Sequence, residues 1–149
     1  MFYYDFQVVF QEVPGEISLC FSISGCPLRC NGCHSPFLWK EGQGNKLTPG
    51  VFQNHLDQYE GLASCVLFMG GEWHHKVLLS HLKQARKLGY KTCLYTGLDQ
   101  VPSSLLEHLT FIKTGKWTQK LGGLDHKATN QVFREVATNT SLNHLFIPK

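Results

Sequence analysis

Residues 64–97, SCVLFMGGEWHHKVLLSHLKQARKLGYKTCLYTG, hold two short apolar runs on either side of a helical pattern. SCVLFM (64–69) and YKTCLYT (90–96) have the length and the apolar, β-branched and aromatic content of buried strands, and each is followed by glycine. Between them, HHKVLLSHLKQARKLG (74–89) places Val77, Leu78, Leu82, Ala85 and Leu88 on one face of a helix, with Gly89 as its stop. Two strands separated by a helix of this length form a crossover unit, and the strands of such a unit run parallel.

The same alternation extends both ways. EISLCFSIS (16–24) reads as an earlier strand, and PGVFQNHLDQYEG (49–61) as a helix carrying Val51, Leu56 and Tyr59, with Thr48 as N-cap before Pro49 at the first helical position. Between these lies a glycine-containing loop, KEGQGNKLTPG (40–50). Downstream, PSSLLEHL (102–109) is a short helix and TFIKT (110–114) a fourth strand. Past residue 115 the pattern weakens: GKWTQKLGGLDHKATN (115–130) reads as a loop, and NQVFREV (130–136) and LNHLFIP (142–148) as two late strands. The expectation is one α/β domain over 1–149, with its core at about 14–135 and an unassigned tail.

In parallel α/β folds ligands sit at the carboxyl ends of the strands. The segments leaving the four strands are GCPLRCNGCH (25–34), GGEW (70–73), TGLD (96–99) and TGKW (114–117). All the unusual clusters therefore belong to one face.

At 149 residues the chain can bury one substantial core but not two. Its 42% hydrophobic and 17% charged content is that of an ordinary globular protein, and a formal charge of +3 from scattered Lys and Arg argues against a nucleic-acid partner. No apolar run reaches the ~20 residues of a membrane helix. MFYYDFQVVFQEVPGE (1–16) lacks a basic start, a smooth apolar stretch and a small-residue cleavage site, so it does not read as a signal peptide, and a cytoplasmic location is expected.

Six cysteines in a reducing compartment are not a disulfide framework. Cys20, Cys65 and Cys93 fall singly inside expected strands, where a thiol behaves as a small apolar residue. Cys26, Cys30 and Cys33 are clustered and call for a soft metal. Zinc in a closed site needs a fourth ligand, for which His34 is the nearest candidate, although adjacent residues seldom both reach one tetrahedral ion. An iron–sulfur cluster held by three cysteines leaves one iron open for substrate chemistry.

A CxxxCxxC motif leaving one parallel strand, followed by GGE leaving the next, resembles the radical S-adenosylmethionine superfamily. The resemblance implies a partial TIM-like core, a short and incomplete (β/α) barrel of parallel strands. It implies that Cys26, Cys30 and Cys33 hold a [4Fe–4S] cluster, that S-adenosyl-L-methionine chelates the fourth iron, and that reductive cleavage yields a 5′-deoxyadenosyl radical. Gly70 and Gly71 then allow close backbone approach, and Glu72 accepts a hydrogen bond from the cofactor's ammonium. The plainer reading of GGE is a strand-to-helix turn with Glu72 near the positive end of the next helix.

Within the superfamily, the chain is similar to the activating enzymes of anaerobic (class III) ribonucleotide reductases. CHSPFLW (33–39) resembles their Cys-His-Asn-Pro stretch, LYTG (94–97) their Trp-Thr-Gly segment, and KTGKW (113–117) with KATNQ (127–131) their later motifs. Ser35 stands where Asn is usual, Met69 and Trp73 flank GGE where Ser or Thr and Pro are usual, and Thr114 stands in place of an acid. Gly32 precedes the last clustered cysteine where many superfamily members carry an aromatic.

The substrate so implied is a glycine of the reductase large subunit, with a flavodoxin or ferredoxin as reductant. By the same carry-over, Thr96 and Lys113 bind the carboxylate or ribose of the cofactor. Trp39, Trp73 and Trp117 lie in loops on the presumed active face, as partner contacts or as plain packing. Arg29 and Lys40 read as solvated cations, and His74 and His75 as an exposed pair at a helix start. Two other functions remain open: a small-molecule radical enzyme like the carboxydeazaguanine synthases, and a non-catalytic zinc module using the three cysteines and His34.

Overall fold

Phe2–Val9 (FYYDFQVV) forms the first strand, β1, which the sequence reading did not anticipate. In the computed structural model, which describes residues 1–28, 40 and 42–148, β1 pairs antiparallel with β2 (Ser18–Ile23), and the register shifts between Tyr3 and Asp5. That bulge inserts one residue and breaks the period-two alternation. Tyr3, Phe6 and Val8 consequently pack on one core, although Tyr3 and Phe6 are an odd number of residues apart. A strand whose inward residues change parity has no clean alternation for a sequence pattern to detect.

The order after β2 is β3 (Asn45–Lys46), α1 (Pro49–Gln58), β4 (Cys65–Met69), α2 (His75–Lys87) and β5 (Lys91–Tyr95). Then come α3 (Ser103–Leu106), β6 (Phe111–Thr114), β7 (Val132–Glu135), β8 (Thr140–Ser141) and a 3-10 turn at Asn143–Leu145. The eight strands of the described residues belong to one sheet, ordered β3-β1-β2-β4-β5-β6-β7-β8. The α/β class is as expected. The four central strands, β2, β4, β5 and β6, are parallel.

The parallel arrangement does not extend to the edges: β1 and β3 on one side and β7 and β8 on the other pair antiparallel. The cause is the connections. A parallel return needs a crossover of a dozen or more residues, usually helical, and no helix stands between β1 and β2 or between β6 and β7. LNHLFIP is not a strand either. The Asn143 side chain accepts from Phe133 N at 2.7 Å and donates to the Gln131 carbonyl at 2.9 Å, so it supplies the edge of β7 with the bonds another strand would have made.

Alternation along the central strands divides the core in two. Leu19, Phe21, Ile23, Val66, Phe68, Leu94 and Ile112 face the helices, against Phe52, Leu56, Leu78, Leu82, Ala85 and Leu105. Cys20, Cys65, Leu67, Cys93, Phe111 and Phe133 form the opposite face, covered by Val13 and Leu124, with Leu142 and Phe146 packed against them. Helix α1 starts as expected, Thr48 Oγ1 accepting from Val51 N at 3.2 Å. On α2 the buried stripe is Leu78, His81, Leu82 and Ala85, spaced i, i+3, i+4, i+7, while Val77 and Leu88 lie at its solvent-exposed flanks. None of the helices formed by the described residues is long and apolar enough to cross a membrane.

His81 is fully buried against the Phe52 ring, centroids 4.6 Å apart. Its Nε2–H donates to the Leu47 carbonyl at 3.2 Å, and Nδ1 has no partner among the described residues. Protonation would place an uncompensated cation at Nδ1, so burial pushes the ring down from 6.5 to about 4. The unfolded chain therefore binds the proton first. Stability from this group is complete above pH 6.5 and is lost as pH falls toward 4, by up to about 3 kcal/mol. Urea unfolding at a series of pH values checks this: the loss of stability between pH 6.5 and 4 should be markedly shallower in His81→Leu than in the unaltered protein.

Candidate functional site

The parallel strands end level with one another. Ser22 pairs with Met69, Met69 with Tyr95 and Tyr95 with Lys113, so the residues that follow each strand leave the sheet at one height. Cys26, half-buried, follows β2 by three residues. Cys30, Cys33, Arg29, His34 and Trp39 lie outside the described residues, and Lys40 is exposed as expected. Among the described residues no group of three His, Cys, Asp or Glu side chains could hold a metal ion, and Cys26 is the one described member of the expected triad.

Gly70 and Gly71 turn the chain out of β4 with φ of +84° and +108°, a region that L side chains rarely adopt. Their open sides are filled by protein. A Cβ on Gly70 would meet the Trp73 ring at 2.6 Å, and one on Gly71 would meet Met1 Cε at 3.2 Å and Ile23 Cγ1 at 3.3 Å. These glycines let the GGE turn press against the end of β2 and the Trp73 ring. Trp73 is thus a packing residue of the turn. A third close approach joins the cysteine segment to the same face: a Cβ on Gly97 would lie 2.4 Å from Leu28 Cδ1, so Leu28, two residues past Cys26, rests on the turn after β5.

Glu72 stands two residues before the α2 N-cap position, His74, which makes no side-chain cap bond. Its Oε1 accepts from the Thr96 hydroxyl at 2.6 Å across the sheet, and Thr96 Oγ1 accepts in turn from Leu98 N at 3.1 Å. Oε2 is buried with no hydrogen-bond partner among the described residues. Burial raises the Glu72 carboxyl above the usual carboxylate range, opposed by the Thr96 bond, a bond from its own backbone and the charge of Lys113. Lys113 is itself buried, its Nζ donating to the Gly115 carbonyl at 3.1 Å and lying 5.7 Å from the centre of the Tyr95 ring. The five expected residues, Gly70, Gly71, Glu72, Thr96 and Lys113, thus converge at the carboxyl ends of three adjacent strands.

Cys20, Cys65 and Cys93 are buried on the sheet face away from the helices, as expected of core thiols. Burial pushes Cys20 and Cys65 up to about 12 and Cys93 well above its ordinary value, so all three rest as neutral thiols in the core. His75 is not simply exposed: its Nε2 lies 3.1 Å from Ser104 Oγ, tying the start of α2 to α3. Gly115 and Gln131 were not singled out from sequence. Gly115, at φ +104°, has the Asn130 carbonyl oxygen and Gln131 Cα each 2.9 Å from where a Cβ would sit, so the chain leaving β6 and the chain entering β7 touch backbone to backbone.

A family model described as a 4Fe-4S single cluster domain matches residues 14–132. The chain belongs to that family. No curated protein matches it. Membership makes this an iron–sulfur protein, and the chemistry of its donors fits the cluster. Three thiols are buried and protonated, whereas Cys26 leaves a strand end in the segment that also supplies Cys30 and Cys33. Anaerobic reconstitution should give a brown protein with about four irons per chain. Alanine at Cys26, Cys30 or Cys33 should remove most of that iron, and alanine at Cys20 or Cys93 should leave it, as measured by iron analysis and visible absorbance.

Proposed function

We propose that the protein is a radical S-adenosylmethionine enzyme that activates an anaerobic ribonucleotide reductase by generating a glycyl radical on its large subunit. The observation that carries the reading is Glu72: a buried carboxylate, held by Thr96 through one oxygen, with its other oxygen unpartnered among the described residues. A buried acceptor without a donor is costly, and an ammonium is the donor that would satisfy it best. In this reading Cys26, Cys30 and Cys33 hold the cluster and Glu72 receives the amino group of S-adenosylmethionine. When bound and reduced by a flavodoxin or ferredoxin, the cluster supplies the electron that cleaves S-adenosylmethionine to methionine and a 5′-deoxyadenosyl radical.

The chain's own residues then have three tasks. Thr96 orients the Glu72 carboxylate and stabilises its charged form against burial. Lys113 places a cation beside that carboxylate, within reach of the cofactor's carboxylate or ribose. The sheet face opposite the helices is read as the interior of a short, incomplete barrel. Its apolar part is already filled by Val13, Leu124 and Phe133, so a substrate enters from the carboxyl ends of the strands. With S-adenosylmethionine bound, hydrogen transfer from the Cα of a substrate glycine would take place there, giving 5′-deoxyadenosine and a glycyl radical. That transfer requires the glycine to be held at contact distance from the adenosyl C5′ and water to be excluded.

Incubating the reconstituted protein anaerobically with dithionite, S-adenosylmethionine and the reductase large subunit tests the reading. A glycyl electron-paramagnetic doublet on the reductase is expected, and its absence with an intact cluster would sink the assignment. Glu72→Gln should weaken S-adenosylmethionine binding about tenfold or more, the effect of losing one charged hydrogen bond. Thr96→Val should raise the Glu72 carboxyl further. Cofactor binding, which needs the ionised carboxylate, should therefore fall off at a higher pH in the variant than in the unaltered protein, as followed by equilibrium binding across a pH series.

A further inference from the structure

Residues 115–131 link β6 to β7 without regular secondary structure, yet they are pinned at many points. Gly115 N donates to the Leu98 carbonyl at 2.9 Å, and Gln131 Nε2 to the Gly115 carbonyl at 3.4 Å. Asn130 Nδ2 donates to the Lys116 carbonyl at 3.0 Å, and Thr129 Oγ1 to the Gly122 carbonyl at 2.9 Å. The Leu121 and Gly122 amides close a turn on the Thr118 carbonyl. Bracketed in this way, Lys116, Trp117, Thr118, Gln119 and Lys120 line a cavity of about 350 Å³ that opens broadly to solvent.

The lining has one sign of charge. Lys116 and Lys120 are exposed at the cavity, and no acidic residue lines it among the described residues. The one acid of the loop, Asp125, lies 3.7 Å from His126 Nε2. Trp117, half-buried, lines the cavity between the two lysines in sequence, and its ring lies against Gly123. Small-molecule sites bury most of their ligand. A shallow site open to solvent suits one side chain of a larger body, and paired cations with a tryptophan suit a carboxylate followed by peptide backbone. The pinned loop reduces the ordering needed when such a segment arrives.

We propose that the pocket lined by Lys116, Trp117 and Lys120 is a docking site for an acidic peptide segment of the protein substrate, receiving an Asp or Glu side chain next to the carboxyl ends of the strands. The proposal rests on the reading of that substrate as a protein. It adds the chemistry by which the partner is recognised. Docking here sets the approach of the partner to the mouth of the sheet, since the pocket begins two residues after β6. It takes no part in cleaving the cofactor.

The test uses the reconstituted protein and a fluorescein-labelled peptide of alternating Gly and Glu, with a Gly-Gln peptide of equal length as control, read by fluorescence anisotropy. The Gly-Glu peptide should bind, and the Gly-Gln peptide should bind at least tenfold more weakly. Lys116→Glu combined with Lys120→Glu should lower affinity for the Gly-Glu peptide at least tenfold, and Lys116→Gln with Lys120→Gln should do so with unchanged melting. Equal binding by the double variants, or equal binding of the two peptides, overturns the docking site. Tighter binding of a single-stranded oligonucleotide through the same lysines would assign the pocket to nucleic acid and overturn it too. The measurement requires neither reductase nor turnover. A missing glycyl signal alongside lysine-dependent peptide binding would therefore refute the proposed activity while supporting the acidic-segment site.

Discussion

The parallel hydrogen-bonded register of β2, β4, β5 and β6 is the constraint on which the rest of the molecule depends. Because Ser22, Met69, Tyr95 and Lys113 stand in one row, the chain leaves the sheet four times at the same level. A one-residue slip of β5 would turn Cys93 toward the helices and Leu94 away from them, exchanging the two cores. It would also carry Thr96 away from Glu72, since the 2.6 Å bond between them spans adjacent strands. Register is therefore specified twice, by the apolar residues that face the helices and by the polar bond at the strand ends.

Much of this was legible because burial and periodicity agreed. The strands at 64–69, 90–96 and 110–114 and the helices at 49–61 and 74–89 carry apolar residues at the spacing of their conformation, with Thr48, Pro49 and Gly89 marking boundaries. The features that escaped are those in which local pattern and tertiary context diverge. The bulge in β1 moves Tyr3 and Phe6 onto one face. LNHLFIP has strand-like composition, but Asn143 takes up the bonds of β7, and Phe146 then packs edge-on against Phe133 at 5.1 Å. His81 was not singled out from the sequence, and it is part of the buried α2 stripe, tied to Leu47.

The candidate site was legible as types of residue at strand ends, and less so in what each residue touches. Glycines at 70 and 71 signal close approach, but sequence cannot say to what. Here the approaching groups are Trp73, Met1 and Ile23. Similarly, Glu72 before a helix reads equally well as a helix-end charge or as a ligand. The structure adds what the pattern lacks, a bond that turns one Glu72 oxygen toward Thr96 after the next strand. Gly115 and Gln131 lie in quoted motifs, but their contact was not legible because it joins two segments: two backbones meet where the chain returns to form β7.

The sheet face away from the helices also shows why charged chemistry is confined to one end. Below the terminal row lie Cys20, Cys65, Leu67 and Cys93, where burial keeps every thiol protonated. An ion placed there would meet neither water nor a counter-charge. At the terminal row the environment changes within one or two residues. The Lys113 ammonium has the Gly115 carbonyl and the Tyr95 ring, and Glu72 Oε1 has the Thr96 hydroxyl. Each charge thus has polar or aromatic neighbours that offset part of the cost of burying it. In the proposed reading, Glu72 Oε2, unpartnered among the described residues, is the atom that would receive a ligand's ammonium. The row that aligns the strands therefore also marks where the buried apolar face gives way to charged side chains.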